Sequence, residues 1–102
     1  MKNTSYHNFF MNFANKTKLD IILALKEKPL SVNEISEKIN EEQSKVSHNL
    51  KALKTCHILD MERKGKKRIY SLNKETALAI LNIVEKHVKK NCPFRCEKCK
   101  KK

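Results

Sequence analysis

A mainly α-helical domain carrying one small β-hairpin is the fold class the sequence predicts, and three observations lead there. One glycine and two prolines in 102 residues leave little room for the turns of an all-β fold. Apolar residues recur at helical spacing through most of the chain. The spacing changes to strand-like alternation only once, over "HILDMERKGKKRIYSLN". A chain of this length makes one domain, near the low end of what supports a core.

The elements follow in order. "YHNFFMNFAN" carries Tyr6, Phe9, Phe10 and Phe13. It is too apolar for a free tail, so it either extends the first helix or packs beside it. "KTKLDIILALKEK" places Leu19, Ile22, Leu23 and Lys26 at helical spacing, and Pro29 ends that helix. In "SVNEISEKIN", Ser31 precedes Glu34 by three residues, the capping-box pattern of a helix start, and Val32, Ile35 and Ile39 form the inner stripe. A polar turn at "NEEQ" leads to "SKVSHNLKALK", with Val46, Leu50 and Leu53 inward. Two short amphipathic helices joined so tightly predict a helix-turn-helix. In the alternating stretch Gly65 supplies the turn of a hairpin whose tip, residues 63–68, is nearly all cation. "KETALAILNIVEKHVKK" closes as a helix with Ala77, Ile80, Leu81, Val84 and Val88 on one face and Leu78 and Ile83 on its flank. That stripe is wider than one small core requires, which predicts a partner helix.

Helix, helix-turn-helix, basic hairpin, helix is the layout of a winged helix-turn-helix. The expected division is residues 1–90 as the DNA-binding and dimerisation domain and 91–102 as a basic, cysteine-containing tail. The aromatic first segment and the last helix are the expected dimer contacts.

Charge divides the chain more sharply than hydrophobicity does. Residues 1–60 hold nine Lys/Arg against seven Asp/Glu, a net +2, and residues 61–102 hold fourteen against four, a net +10. So positive a field favours a polyanion, of which double-stranded DNA is the expected one. A recognition helix fits the major groove, where short polar side chains reach base edges and cations hold phosphates. Gln43, Ser44, Lys45, Ser47 and His48 are the candidates for the base-facing surface, while Lys51 with Arg63, Lys64, Lys66, Lys67 and Arg68 would hold the backbone.

From about residue 19 to residue 72, and most strongly in "KVSHNLKALKTCHILDMERKGKKRIYSL", the chain resembles the ArsR/SmtB group of small dimeric prokaryotic repressors. That group shows V-S-x-H-L-K-x-L followed by R-x-G and, a few residues on, Y-S-L. Val46, Ser47, Leu50, Lys51 and Leu53 match the first part, and Arg63, Gly65, Tyr70, Ser71 and Leu72 the second. Asn49 stands where the group usually has histidine. The resemblance implies a sequence-specific transcriptional regulator, a repressor working as a homodimer.

The resemblance also implies where such proteins sense metals, and here the sequence departs from it. Ser31 and Asn33 occupy the places of the cysteine pair before the turn, and the last helix offers only Glu85 and His87 toward the group's second site. Cys56 falls where the group has a small buried residue, so packing is its expected role.

The metal candidates are instead Cys92, Cys96 and Cys99, spaced C-x3-C-x2-C in the basic tail. Neighbouring lysines and Arg95 lower thiol pKa and favour thiolate ligation, and C-x2-C is a frequent zinc half-site. The expectation is a zinc knuckle capping the last helix, with His87 as fourth ligand. An iron-sulfur cluster, a Cys96–Cys99 disulfide and free thiols are the alternatives.

No glycine-rich phosphate loop or catalytic triad is present, so no enzyme is expected. A different class is a winged helix used as a protein-interaction module or adaptor of the transcription machinery, with a structural zinc knuckle; such a wing shows apolar or acidic residues at its tip, and this one shows cations. No apolar run approaches the ~18 residues of a membrane span, and the N-terminus lacks signal-peptide features. The expected location is cytoplasmic, where four cysteines are more often thiols or ligands than a disulfide framework.

Overall fold

A computed structural model describes residues 3–91 as five helices and a small antiparallel sheet. The order is α1 (Asn3–Ala14), α2 (Lys16–Glu27), β1 (Leu30–Ser31), α3 (Val32–Ile39), α4 (Gln43–Thr55), β2 (Leu59–Lys64), β3 (Lys67–Leu72) and α5 (Ala77–Asn91). The aromatic segment is a helix of its own. Asn15 breaks it from α2 with an extended backbone, and its side chain caps α2 by accepting from the Lys18 amide at 3.0 Å. Asn12, buried on the inner side of α1, donates to the carbonyls of Asn8 (3.1 Å) and Phe9 (3.3 Å), which offsets the cost of burying an amide.

Ile21, Ile22, Ile35, Val46, Leu50 and Leu53 are wholly buried, and Ile58, Leu59, Tyr70, Leu72, Ala77 and Leu81 complete the core. Each large side chain removed from water contributes about 2 kcal/mol before entropy is counted. The inner stripe of α4 is as the spacing predicts. That of α3 is centred on buried Ile35, with Val32 and Ile39 half-buried against the same core. The stripe of α2 is not: Ile21, Ala24 and Leu25 join Ile22 inside, while Leu23 is 46% exposed. "LDIILAL" is apolar around most of the helix, so periodicity alone allowed two faces, and packing against α1, α3, α4 and β3 selected one.

Two helix ends rest on left-handed residues that are not glycine. Asn40 (φ 57) ends α3 and leaves a three-residue turn, 40–42, before α4. His57 (φ 61) follows α4 in a full Schellman arrangement, the Ile58 amide donating to Leu53 O (3.1 Å) and the His57 amide to Lys54 O (2.9 Å). This turn swings Cys56 outward. Cys56 is exposed, which corrects its expected packing role: the buried positions here are Leu53 before the turn and Ile58 after it.

The hairpin runs in the register Leu59↔Leu72, Met61↔Tyr70, Arg63↔Arg68, with Gly65 (φ 64) first in its two-residue turn, where primed turns need a positive φ. A third strand, not expected from the sequence, pairs Leu30 with Tyr70 and Ser31 with Ile69, giving the order β1-β3-β2. Only two residues long and preceded by proline, it has no periodicity to detect.

α5 starts from a junction centred on Asn73. Its amide donates to Ile58 O (2.9 Å), its side-chain NH2 to His57 O (3.0 Å), and its Oδ1 accepts from the amides of Glu75 (2.9 Å) and Thr76 (3.3 Å). Ala77 and Leu81 anchor α5 in the core, Ile80 and Leu78 are half-buried, and Ile83 (67%), Val84 (50%) and Val88 stand exposed. Lys26 of α2 pairs with Glu85, which also takes Lys89 at 3.3 Å. Among the described residues no helix is long and apolar enough to cross a membrane.

Candidate nucleic-acid interface

α4 begins without a side-chain cap at Glu42, and its outer surface is set by the buried Val46, Leu50 and Leu53. Gln43, Ser44, Lys45, Ser47, His48 and Lys51 are all exposed. Lys45 lies toward one flank and pairs with Glu41 at 3.4 Å. Asn49 is not available to a ligand in the same way: its side-chain NH2 donates back to Lys45 O at 2.8 Å. One N–H of its amide is thereby held by its own helix.

The wing residues Arg63, Lys64, Lys66, Lys67 and Arg68 are exposed too, but strand alternation sends them to different faces. Arg63 and Arg68 continue the sheet face of Leu59, Met61, Tyr70 and Leu72, the face that packs on the helices. Lys64 and Lys67 continue the other face, that of Glu62 and Ile69, and Lys64 lies 3.9 Å from Glu62. Both cross-strand pairs near the tip, Arg63↔Arg68 and Lys64↔Lys67, set like charges directly opposite, an arrangement that costs stability in the free protein.

Two hollows result. One is lined by Ser47, Lys51 and Lys54 of α4, by Arg63 and Arg68 of the wing, and by Val32, Met61 and Tyr70 between them. The structure thus joins the recognition helix to the wing and adds Lys54, which sequence reasoning missed. Its signal was there: Ser47, Lys51 and Lys54 stand at i, i+4 and i+7, one face of a helix. The second hollow brings Arg63, Lys66, Lys67 and Arg68 against the start of α3. Glu34 lies there, accepting from the Ser31 amide (2.9 Å) while its own amide donates to Ser31 Oγ (3.3 Å). Hydrogen bonds to the carboxylate from the Ser31 amide first and then the Ser31 side chain, with the fields of Lys67 and Lys28, hold its carboxyl below the ordinary 4.5.

Among the described residues, none of Lys51, Lys54, Arg63, Lys66, Lys67 and Arg68 pairs with a carboxylate, whereas Lys16, Lys26, Lys38, Lys45, Lys64 and Lys89 all do. These six lie together on α4 and the wing, while the other described lysines without a carboxylate partner, Lys18, Lys28, Lys74, Lys86 and Lys90, lie elsewhere.

The expected metal ligands Cys92, Cys96 and Cys99 lie outside the described residues. His87 is exposed on α5 with Nδ1 3.3 Å from the Asn91 side-chain amide. Among the described residues no three His, Cys, Asp or Glu side chains gather as a metal site would require.

Comparison with known proteins agrees with this geometry. Residues 15–60 match the family model described as "Bacterial regulatory protein, arsR family". The curated HTH-type transcriptional regulator NmtR of Mycobacterium tuberculosis is 37% identical over 59 residues, a match spanning 58% of this chain and 49%, about half, of that protein. Among solved structures, the homodimeric winged helix-turn-helix DNA-binding domain Mb0332 of Mycobacterium bovis, described as a possible ArsR-family regulator, superposes with TM-score 0.72 at 22% identity, covering 87% of this chain and 86% of that one. The transcriptional repressor BigR of Xylella fastidiosa gives TM-score 0.72 at 22% identity, with 87% and 88% covered. The chain is thus a winged helix-turn-helix in fold over residues 3–91, and over residues 15–60 its sequence is similar to the arsR family of bacterial regulatory proteins.

Proposed function

We propose that the protein is a sequence-specific DNA-binding transcriptional regulator, a repressor that acts as a homodimer in the cytoplasm. The observation that carries this reading is the cluster of six cations without carboxylate partners, Lys51, Lys54, Arg63, Lys66, Lys67 and Arg68, along two adjoining hollows of the recognition helix and the wing, the two elements that meet DNA in a winged helix. Cations left without carboxylates repel one another and gain most from phosphate, with release of the counterions condensed on the duplex. The homodimer is supported by the exposed apolar faces of α1, with Tyr6 and Phe10, and of α5, with Ile83 and Val84. The names given to NmtR, the Mycobacterium bovis domain and BigR point the same way. Selection of bound fragments from the source genome should yield a two-fold symmetric site; retention of random duplex alone, with no enriched sequence, would contradict specific regulation.

The tail belongs to this proposal. Cys92, Cys96 and Cys99 bind zinc, with His87 the nearest further ligand, a reading supported by the C-x3-C-x2-C spacing and by the exposure of His87. Protein purified without oxygen should contain about one zinc per chain, lost in Cys96→Ser. Iron with sulfide would favour a cluster, and metal-free preparations would rule out both.

A further inference from the structure

Sequence alone treats the wing as one cationic tip, but the register divides it. Arg63 and Arg68 are directly opposed on the inner face of the hairpin, at the point where the apolar series Leu59, Met61 and Leu72, Tyr70 runs out. Directly opposed side chains stand about 5 Å apart at Cβ, so the two guanidinium groups reach the same space. Across the hollow stand Lys51 and Lys54, and the floor between the walls is Val32, Met61 and the largely buried Tyr70. No carboxylate lines this hollow; Glu34 lines the neighbouring one, which Arg63 and Arg68 also border. Four cations face one another over an apolar floor.

We propose that Arg63 and Arg68 act together as a paired-guanidinium clamp on a single phosphate of one DNA strand, which lies in this hollow with Lys51 and Lys54 holding the same strand from the opposite wall. Several observations converge on that occupant. Guanidinium presents a planar donor fork that matches phosphate oxygens two at a time, and two forks from opposite strands can share one tetrahedral group. The apolar floor suits a sugar face between phosphates. Lys64 and Lys67, equally opposed but on the outer face, lack such a hollow between themselves and α4. They contact phosphates singly.

The inference rests on the DNA-binding reading and is separable from it by counting counterions. Binding of the full-length protein to a labelled random-sequence duplex is measured across a salt series. Each phosphate left without a cation lowers the magnitude of the log K against log[salt] slope by about 0.9 per protomer. Under the clamp, Arg63→Gln and Arg68→Gln each weaken binding severalfold but leave the slope nearly unchanged, because the partner arginine still neutralises the phosphate. The double variant then loses about 0.9 per protomer. Lys66→Gln, a cation on its own, loses that amount alone. Removing either arginine also relieves the repulsion of the pair, so the free single variants should melt no lower than the parent. If each arginine variant lowers the slope by itself and the double by twice as much, the two serve separate phosphates and the clamp is wrong while the DNA reading stands. If the parent fails to bind duplex at low salt, both readings fall. Competition by polyglutamate as effective as by duplex at equal charge would overturn the phosphate assignment in favour of an acidic peptide.

Discussion

His57 holds a left-handed conformation (φ 61) that costs an L-residue with a Cβ about 1 kcal/mol relative to glycine. It is kept because the Schellman bonds place Leu53 and Ile58 in the core on either side of the turn. His57→Gly should therefore raise stability, by up to about 1 kcal/mol, readable in a urea titration; a lower midpoint would mean that the imidazole makes a contact of its own. Asn73 is the opposite case. One side chain caps the entry to α5 and ties it to the turn after α4, so Asn73→Ala should cost about 1–2 kcal/mol. No cap for the last helix is predicted from the sequence, and the bond of Asn73 to His57 O, sixteen residues away in sequence, leaves no local pattern to read. The capping box of Ser31 and Glu34 was fully legible because both partners are local. Cys56 was misjudged for a related reason: burial next to a turn depends on the direction of the turn, and only the backbone of His57 sets that.

At the scale of elements, the wing and α5 carry the main consequences. Replacing Lys66, Lys67 and Arg68 by alanine should reduce the salt-dependence slope of duplex binding by about two per protomer, since Lys66 and Lys67 each release a phosphate while Arg63 retains the third. An unchanged slope would remove the wing from the interface. α5 is joined to α2 by Lys26 and Glu85, and Lys89 adds a second cation to the same carboxylate. The hydrogen bonds from Lys26 and then Lys89 hold the Glu85 carboxyl below its ordinary 4.5. The sign follows: a carboxyl depressed in the folded state stabilises above its unfolded value and loses that contribution as pH falls through the folded one. Thermal melts between neutral and acid pH should show Glu85→Gln less stable than the parent near pH 7, with the two converging well below pH 4.5. A difference that persists at the acid end would assign the effect to packing. The effect is small, because the group is open to solvent.

For the whole molecule, the large apolar residues that the core leaves exposed lie, apart from Leu23 on α2, on α1 and the distal half of α5. Ala77, Leu81, Val84 and Val88 are spaced along one face of α5, yet only the first two enter the core. A stripe that outlasts its own domain is what a partner helix covers. Sedimentation should find a dimer at micromolar concentration, and Phe10→Glu with Val84→Glu should give a folded monomer. That monomer should bind an isolated operator about 100-fold or more weakly, as two linked half-sites become one. A parent that sediments as a monomer and binds DNA as a single unit would exclude the dimer.

The sequence by itself determined the order helix, helix-turn-helix, hairpin, helix from α2 to α5, the inner stripe of α4, the hairpin with its glycine turn and the cationic wing. Each of these is written in local spacing, charge or capping, which neighbours along the chain enforce. Tertiary structure alone decided which face of α2 is buried, the two-residue β1, the outward Cys56, the return of the Asn49 amide to its own helix, and the pairing of Arg63 with Arg68 opposite Lys51 and Lys54. These depend on how far-separated segments pack and register. A helix apolar around most of its surface can bury more than one face, and a hairpin shifted by one residue exchanges its two faces, so periodicity could narrow the choices while only the packed core made them.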